Sequence, residues 1–296
     1  MAVKSDTVIS DLLRLPRGPV DLGSIDPHAK PGFKGRKADG KKALPAMGKE
    51  LFELQERLFA SGYTEGQRRI LLVLQGMDTS GKGGVLKHTT GLFDPNGLRI
   101  FSFKAPTKEE LAHDFLWRVE KEVPPAGKVG VFDRSHYEDV LIVKVHRIAK
   151  ADEIRRRYAA INAFEKRLVE EGATVIKCML HISSGTQKER LLARLDDPTK
   201  QWKFKPGDVD ERELWPKYQA AYETALDRCN TDAAPWYVVP SDRKWYRNWA
   251  IGSLLLEALR GMDLDWPTPD YDVAEQRARL TSEYALTRHK STGEAR

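Results

Sequence analysis

A glycine-rich segment with one lysine carries the residue types best suited to chemistry. Gly76, Gly81 and Lys82 have the spacing G-x-x-x-x-G-K, which is typical of a P-loop. In such a loop, backbone N–H groups surround a phosphate while the lysine reaches its outer oxygens. The apolar run 70–74 predicts a buried strand before the loop, and the residues from Val85 onward predict a helix after it. This context predicts a phosphate site, and the alternative is a chance match in a glycine-rich turn.

The loop lacks one group that P-loop enzymes normally have. A Ser or Thr usually follows the lysine and holds Mg²⁺ by its hydroxyl, but Gly83 and Gly84 stand there. Asp78, inside the loop, is the nearest candidate to hold the metal instead. Asp133 ends a short apolar strand, where a second metal ligand of a P-loop enzyme is expected. The alternative is that Asp133 only caps a helix predicted for residues 135–145.

Basic residues farther along the chain predict a lid. Arg190 and Arg194 are one turn apart on a helix predicted for residues 183–195, so they project from the same face. Lys203 follows in a segment of spaced lysines and aromatic residues. This pattern predicts a mobile lid, at about 183–215, that closes over phosphates and excludes water. The alternative is a solvated basic helix and loop.

The elements that position these residues alternate between strands and helices. Strands are predicted at 70–74, 98–104, 128–133, 174–182 and 236–239. Besides the helix that follows the loop, helices are predicted at 8–15, 44–61, 108–121, 135–145, 152–171, 183–195, 208–229 with a break near Trp215, and 244–260. Such alternation indicates an α/β fold with a parallel sheet covered on both sides. The active groups then belong at the carboxyl ends of the strands.

Length and composition favour one large α/β domain with additions. The chain has 296 residues, of which 41% are hydrophobic and 31% charged. We expect a basic extension outside the main core at 1–43, partly a flexible arm, then the P-loop domain at 44–262 and a tail at 263–296. The sequence shows neither a membrane-spanning apolar run nor a signal-peptide core, so we expect a cytoplasmic protein. The net charge of +6 favours a polyanionic partner, although a surplus of lysine is often only a solvated surface.

Four segments together resemble the family-2 polyphosphate kinases. They are Gly76-Met-Asp-Thr-Ser-Gly-Lys-Gly-Gly, Phe132-Asp-Arg-Ser-His-Tyr-Glu-Asp, Ile161-Asn-Ala-Phe-Glu, and the stretch from Gln187 to Lys203. The likeness covers about residues 44–262. It implies a P-loop kinase-like three-layer sandwich with a five-stranded parallel sheet and a helical lid. It also implies a homodimer or homotetramer that moves phosphoryl groups between inorganic polyphosphate and nucleotides with Mg²⁺ or Mn²⁺, without nucleic-acid or membrane partners.

The resemblance assigns roles to particular residues. It implies that Asp78 and Asp133 hold the metal and orient the acceptor phosphate. Lys82 and Arg134 match residues that grip the transferred phosphoryl group, and Arg190 and Arg194 match the lid. The remaining predicted phosphate or nucleotide contacts are Gly76, Thr79, Ser80, Gly81, Gly83, Gly84, Lys87, Tyr137, Glu138 and Lys203.

One short variation bears on the acceptor. In the family, Trp-Tyr-Asn after Asp-Arg-Ser is linked to nucleoside diphosphates, whereas this chain has His136-Tyr137-Glu138. That variant is similar to the subgroup that phosphorylates both nucleoside mono- and diphosphates, with adenine or guanine bases. Two other functions stay open: an ATP-dependent nucleoside monophosphate kinase, and a nucleic-acid-binding module with a vestigial P-loop. The sequence lacks RNP-like and helix-turn-helix signatures, which speaks against the second.

Overall fold

Five parallel strands form the centre of the protein, for which we use a computed structural model that describes residues 8–64 and 66–281. The strands are β1 (Arg69–Gln75), β2 (Leu98–Ser102), β3 (Val129–Asp133), β4 (Ala173–His181) and β5 (Trp236–Pro240). Their order in the sheet is β2-β3-β1-β4-β5, and every neighbouring pair is parallel. All seven residues of β1 are buried, as expected for a central strand covered on both faces. The predicted five-stranded parallel sheet is therefore confirmed.

Helices cover the sheet on both sides. They are α1 (Ile9–Leu13), α2 (Lys37–Ala46), α3 (Gly48–Ser61), α4 (Lys82–His88), α5 (Trp117–Glu120), α6 (Ile142–Val145), α7 (Ala151–Glu170), α8 (Ser184–Leu195), α9 (Gly207–Glu213), α10 (Trp215–Arg228), α11 (Lys244–Arg260) and α12 (Val273–Thr281).

Alternate residues of β1 enter two separate apolar cores. Val73 packs with residues of α7 and α10, whereas Leu72 and Leu74 pack with residues of α3 and α11. This follows from the strand geometry, because successive side chains point to opposite faces of a sheet. The two cores make the three layers that the sequence predicts.

Some predicted helices are shorter or divided. Residues 108–121 form a 3₁₀ turn and the short α5, because the carboxylate of Asp114 accepts the backbone N–H of Leu116 between them. Residues 135–145 form a 3₁₀ turn followed by α6, and residues 44–61 are divided between α2 and α3. The predicted break near Trp215 is present, with Pro216 in the first turn of α10 where its missing N–H is harmless.

Residues 9–22 of the expected N-terminal extension contribute to the main core, contrary to our expectation. Ile9, Leu13 and Leu22 are at most 4% exposed, and the backbone N–H of Leu15 donates to the carbonyl of Trp236 on β5. The part of the expected flexible arm from residue 37 onward is helical. Residues 37–42 belong to α2, which packs so closely on α11 that a side chain at Gly40 would overlap the ring of Trp245.

The chain divides into two compact units, Met1–Asp265 and Trp266–Arg296. The first contains the sheet and the P-loop, and α12 is the helix described in the second. No helix in residues 8–64 and 66–281 has the length and apolar character needed to cross a membrane.

Candidate active site

The P-loop turns sharply between β1 and α4. Gly76, Thr79 and Gly81 have positive φ angles of 150°, 63° and 111°. A Cβ at Gly76 would lie 2.7 Å from the carbonyl oxygen of Leu180, so only glycine fits where the loop passes β4. The side-chain oxygens of Thr79 and Ser80 are buried without a hydrogen-bond partner in the described protein. The loop therefore has the predicted shape and contains polar atoms that a ligand could satisfy.

Lys82 lies inside this loop. Its Nζ donates to the carbonyl oxygen of Gly76 at 2.7 Å, and the residue is 9% exposed. Burial lowers the pKa of Lys82, and the nearby Arg134 lowers it further, whereas Asp78, Asp133 and other acidic neighbours oppose the shift. The lysine is thus held across the loop where a bound phosphate would reach it.

Arg134 connects the ends of two neighbouring strands. Asp133, the last residue of β3, pairs with Leu74 of β1, so the loops after the two strands are adjacent. The φ angle of Arg134 is 64°, and its Nη2 donates to Oδ1 of Asp78 at 3.1 Å. Burial lowers the pKa of Arg134, but the carboxylates of Glu138 and Asp78 outweigh burial and raise it overall. Arg134 therefore stays cationic beside Asp78, a predicted catalytic residue, and Glu138, a predicted phosphate or nucleotide contact.

The carboxylates fit a divalent ion of the magnesium type. Magnesium is usually bound by one or two carboxylates together with substrate phosphates. Asp78 and Asp133 supply two such carboxylates at adjoining strand ends. In the described ranges, no group of three or more His, Cys, Asp or Glu residues could hold a metal without other ligands. A metal held here would depend on phosphates to complete its ligands.

Glu138 is a third acidic group beside the loop. Burial raises its pKa, and the charges of Arg134 and Lys82 oppose that shift. With its amide oriented to satisfy all its neighbours, Gln75 donates to Glu138 at 3.0 Å and accepts from Ser135. Gln75 thereby joins the end of β1 to the turn after β3, a role that sequence reasoning missed.

The two predicted lid arginines lie on one helix but have different surroundings. Arg190 donates to the carbonyl oxygens of Thr79 and Ser80 at 2.8 and 3.2 Å, and also to those of Ser241 and Asp242. In contrast, Arg194 donates to the carbonyl oxygen of Lys203 at 3.1 Å and lies 3.6 Å from Asp208. The structure brings Arg190 to the P-loop, whereas the side chain of Arg194 contacts the segment that follows α8.

The other predicted contacts are divided between the loop and the surface. Lys87 and Lys203 are exposed, on α4 and on a 3₁₀ turn of the lid segment. Gly83 has open space around it. A Cβ at Gly84 would lie 2.5 Å from the guanidinium of Arg247, a residue that sequence reasoning did not select.

Tyr137 does not reach the site, which corrects its prediction as a nucleotide contact. It is fully buried, and its hydroxyl donates to Glu165 at 2.8 Å and accepts from Lys177 at 2.8 Å. Lys177 also donates to Glu165 at 2.6 Å, and His136 lies 3.2 Å from the same carboxylate. We call these four side chains the Glu165 network. A lysine in the middle of the apolar strand β4 was the sequence signal that could have revealed it.

We call the basic and acidic side chains around the loop the P-loop cluster. Its members are Lys82, Arg134, Arg190, Arg247, Asp78, Asp133 and Glu138. Four positive groups meet three negative ones, so the cluster has an excess of positive charge. This arrangement is suited to neutralising phosphates during phosphoryl transfer, which depends on positioning and electrostatic stabilisation.

Comparison with known proteins agrees with this geometry. The family model described as polyphosphate kinase 2 matches residues 34–266. An AMP/ADP-polyphosphate phosphotransferase of Meiothermus ruber is 44% identical over 86% of this chain and 94% of its own length. An ADP-polyphosphate phosphotransferase of Rhodopseudomonas palustris is 36% identical over 84% of this chain and 88% of its own.

A solved structure is similar over almost the whole chain. The crystal structure of polyphosphate kinase 2 from Arthrobacter aurescens is 53% identical, with a TM-score of 0.92, and the match covers 95% of this chain and 99% of that one. Phosphotransferases of this kind normally need a divalent metal. The chain therefore belongs to the polyphosphate kinase 2 family and is a polyphosphate kinase.

Proposed function

We propose that this protein transfers the terminal phosphoryl group of polyphosphate to both nucleoside monophosphates and nucleoside diphosphates, with Mg²⁺ as the preferred metal and Mn²⁺ as a substitute. The observation that carries the proposal is the P-loop cluster, where Lys82 and Arg134 meet Asp78 and Asp133 at adjoining strand ends. The relative from Meiothermus ruber, which is named for both AMP and ADP, supports the breadth of acceptors.

The residues divide the work of an in-line transfer. The terminal P–O–P bond of polyphosphate breaks, and an oxygen of the acceptor phosphate forms the new P–O bond, so polyphosphate shortens by one phosphate. Lys82 and Arg134 neutralise charge on the moving group, as preorganised cations do in such sites. Asp78 and Asp133 would hold the metal, which supplies charge neutralisation on the phosphate oxygens when bound. No general base is required, because the acceptor oxygen already carries a charge.

The motif that bears on the acceptor, His136-Tyr137-Glu138, lies mostly in the protein core. Of its three residues, His136 and Tyr137 are fully buried in the Glu165 network, and the half-buried Glu138 is the one beside Arg134. We therefore infer that Glu138 is the member that meets the acceptor, and that His136 and Tyr137 affect it by shaping the turn that bears Glu138.

A donor comparison tests the proposal. Purified full-length protein would receive AMP with Mg²⁺ and either polyphosphate or ATP as the sole donor, with product nucleotides separated by chromatography. We expect ADP and then ATP from polyphosphate, and the same products at lower rates with Mn²⁺. ADP formed with ATP alone, and none with polyphosphate, would identify a nucleoside monophosphate kinase. Tight RNA binding without any turnover would identify a nucleic-acid-binding module. Replacing the adenine acceptors with GMP or GDP in the same assay, and comparing the rates, measures the base preference.

We also propose a homodimer or homotetramer, as implied by the resemblance, and a cytoplasmic setting, as expected from the sequence. Sedimentation equilibrium of the purified chain separates these states from a monomer. A monomer with full activity would contradict the oligomer without affecting the proposed reaction.

A further inference from the structure

Arg247 is a buried arginine that packs against the P-loop. It lies in the first turn of α11 and is 3% exposed. Its Nη1 donates to the carbonyl oxygen of Ser80 at 3.0 Å, and Nε and Nη2 both donate to Oδ1 of Asn248 at 3.1 and 2.8 Å. The acceptors are neutral oxygens, so these bonds orient the guanidinium without balancing its charge.

Two glycines of the loop leave space for this guanidinium. A Cβ at Gly81 would lie 1.6 Å from Nη1 of Arg247, and one at Gly84 would lie 2.5 Å from its Nη2. A Cβ at Gly83, between them, would meet no atom within 4 Å. The absence of side chains at Gly81 and Gly84 therefore lets Arg247 lie directly against the phosphate-binding turn.

The charge of Arg247 has no acidic partner in residues 8–64 and 66–281, since no carboxylate oxygen there forms an ion pair with it within 4.0 Å. Its charged neighbour is instead Arg190, whose Nη1 bonds the same carbonyl of Ser80 at 3.2 Å. Burial and then the charge of Arg190 lower the pKa of Arg247 to about 9. A buried charge without a counter-charge is unfavourable, so the protein alone leaves this positive charge unbalanced.

We propose that Arg247 is a positioning residue for polyphosphate, which holds the Ser80 turn in shape and has its charge balanced by the phosphates bound in the loop. The inference rests on the proposed function, because it takes the P-loop as the polyphosphate site. Ligands that bind only the folded state stabilise it. Here part of that stabilisation comes from supplying the counter-charge that Arg247 lacks.

Thermal unfolding with and without tripolyphosphate and Mg²⁺ tests this inference in Arg247→Met and Arg247→Lys. Arg69→Met is the matched control, because Arg69 is also only 8% exposed but pairs with Glu171 at 3.0 Å. Arg69 begins β1, about 20 Å along the strand from the P-loop. Its loss should lower the unfolding midpoint and leave the tripolyphosphate-induced rise unchanged.

We expect Arg247→Met to lose most of the tripolyphosphate-induced rise and to increase KM for polyphosphate about tenfold, because the bound phosphates lose one nearby positive charge. Arg247→Lys, which retains the charge, should keep most of the rise and show mainly a lower kcat. A purely structural role would shift the unfolding midpoint of the free protein and leave both ligand-dependent quantities unchanged.

An Arg247→Met protein with the wild-type rise and KM would overturn the inference. If Arg247→Met does not fold, Arg247→Lys decides, because loss of the rise in a folded lysine variant would show that charge is not the cause. The proposed function fails differently, since wild-type protein would then show neither a tripolyphosphate-induced rise nor turnover of polyphosphate.

Discussion

The Glu165 network balances its buried charges within the protein, whereas the P-loop cluster leaves most of its positive charges without a carboxylate partner among the described residues. In the network, Lys177 and Glu165 pair at 2.6 Å with both residues fully buried, and Tyr137 and His136 satisfy the same carboxylate. In the cluster, three of the four basic side chains form no ion pair with a carboxylate of the described residues within 4.0 Å, and Arg134 with Asp78 is the exception.

This difference separates structural charge from functional charge. A buried ion pair that satisfies itself has nothing left to offer a ligand, and breaking it is strongly destabilising. Cations that lack carboxylate partners are available to a polyanion, which supports the proposal that phosphates bind at the P-loop cluster. The comparison predicts that substitutions in the cluster reduce turnover and that substitutions in the network reduce stability.

The largest effect should come from Lys82→Ala, which tests the cluster directly. Removing one preorganised cation typically costs about 3 to 4 kcal/mol, so we expect turnover to fall roughly a hundred- to thousandfold. The circular dichroism spectrum and unfolding midpoint should change little. Near-normal turnover in the folded variant would show that this loop is not the site.

Asp133→Asn should reduce turnover nearly as much, by removing a predicted metal ligand while keeping its shape. Stability should change little, because relief of repulsion among the nearby carboxylates is offset by lost attraction to Lys82 and Arg134. Titration of turnover with Mg²⁺ is the decisive measurement, and the variant should need far more metal for half of its own maximum. An unchanged titration midpoint would place the metal elsewhere.

Glu165→Gln should have the reverse effect, with a loss of stability and little loss of turnover. It leaves Lys177 buried without a counter-charge, so the free energy of unfolding should fall by about 3 to 5 kcal/mol, measured by urea denaturation. Turnover per folded molecule at low temperature should remain near wild type, because a glutamine at this position can still accept from the Tyr137 hydroxyl and so keep the Glu138 turn in place. A folded, stable variant with little activity would contradict the division between network and cluster.

The pH dependence of stability sharpens the same test. Burial raises the pKa of Glu165, but Lys177 and His136 outweigh burial and hold it below its ordinary value of 4.5. The ionised carboxylate therefore stabilises the fold fully above pH 4.5, and this contribution is lost as the pH falls below 4.5 towards the folded-state pKa. In that range, wild-type stability should fall more steeply with acid than that of Glu165→Gln. Parallel curves would contradict this assignment.

Substitution of the two predicted lid arginines should reduce turnover less than the changes above, and by different amounts. Arg190→Ala removes bonds to two P-loop carbonyls, so we expect about a tenfold loss of turnover. Arg194→Ala removes partly exposed contacts within the lid segment and should cost only a few-fold. Steady-state kinetics of both single variants and the double variant measure the difference. Equal losses would mean that both arginines reach the phosphates when the lid closes.

The smallest expected effects are those of alanine substitutions at two adjacent glycines, Gly83 and Gly84. Gly83→Ala enters space free of other protein atoms in the first turn of α4, so it should stabilise the free protein by about 0.5 to 1 kcal/mol and leave Arg247 in place. Gly84→Ala should displace Arg247 and reduce polyphosphate affinity. Unfolding midpoints and KM values of the two variants provide the measurement. Identical behaviour would mean that Arg247 does not depend on the space at Gly84.

Local patterns were sufficient for the architecture. The apolar runs predicted all five strands, and the helical periodicity predicted most of the helices between them, because burial imposes those patterns on short segments. They failed at 108–121 and 135–145, where side chains such as Asp114 and Ser135 bond the backbone and form turns. The residues that lie in the P-loop and at the end of β3 were also predictable, since parallel strands bring their carboxyl ends to one edge.

The sequence by itself therefore determined the sheet, the P-loop and the carboxylates beside it. The tertiary structure alone decided that Tyr137 faces the core, that Arg190 clamps the loop and that Arg247 lies against it. The bonds of Arg190 and Arg247 to the loop span 111 and 167 residues of sequence. No periodicity or spacing encodes such contacts, because they depend on how α8 and α11 pack against the loop after the chain has folded.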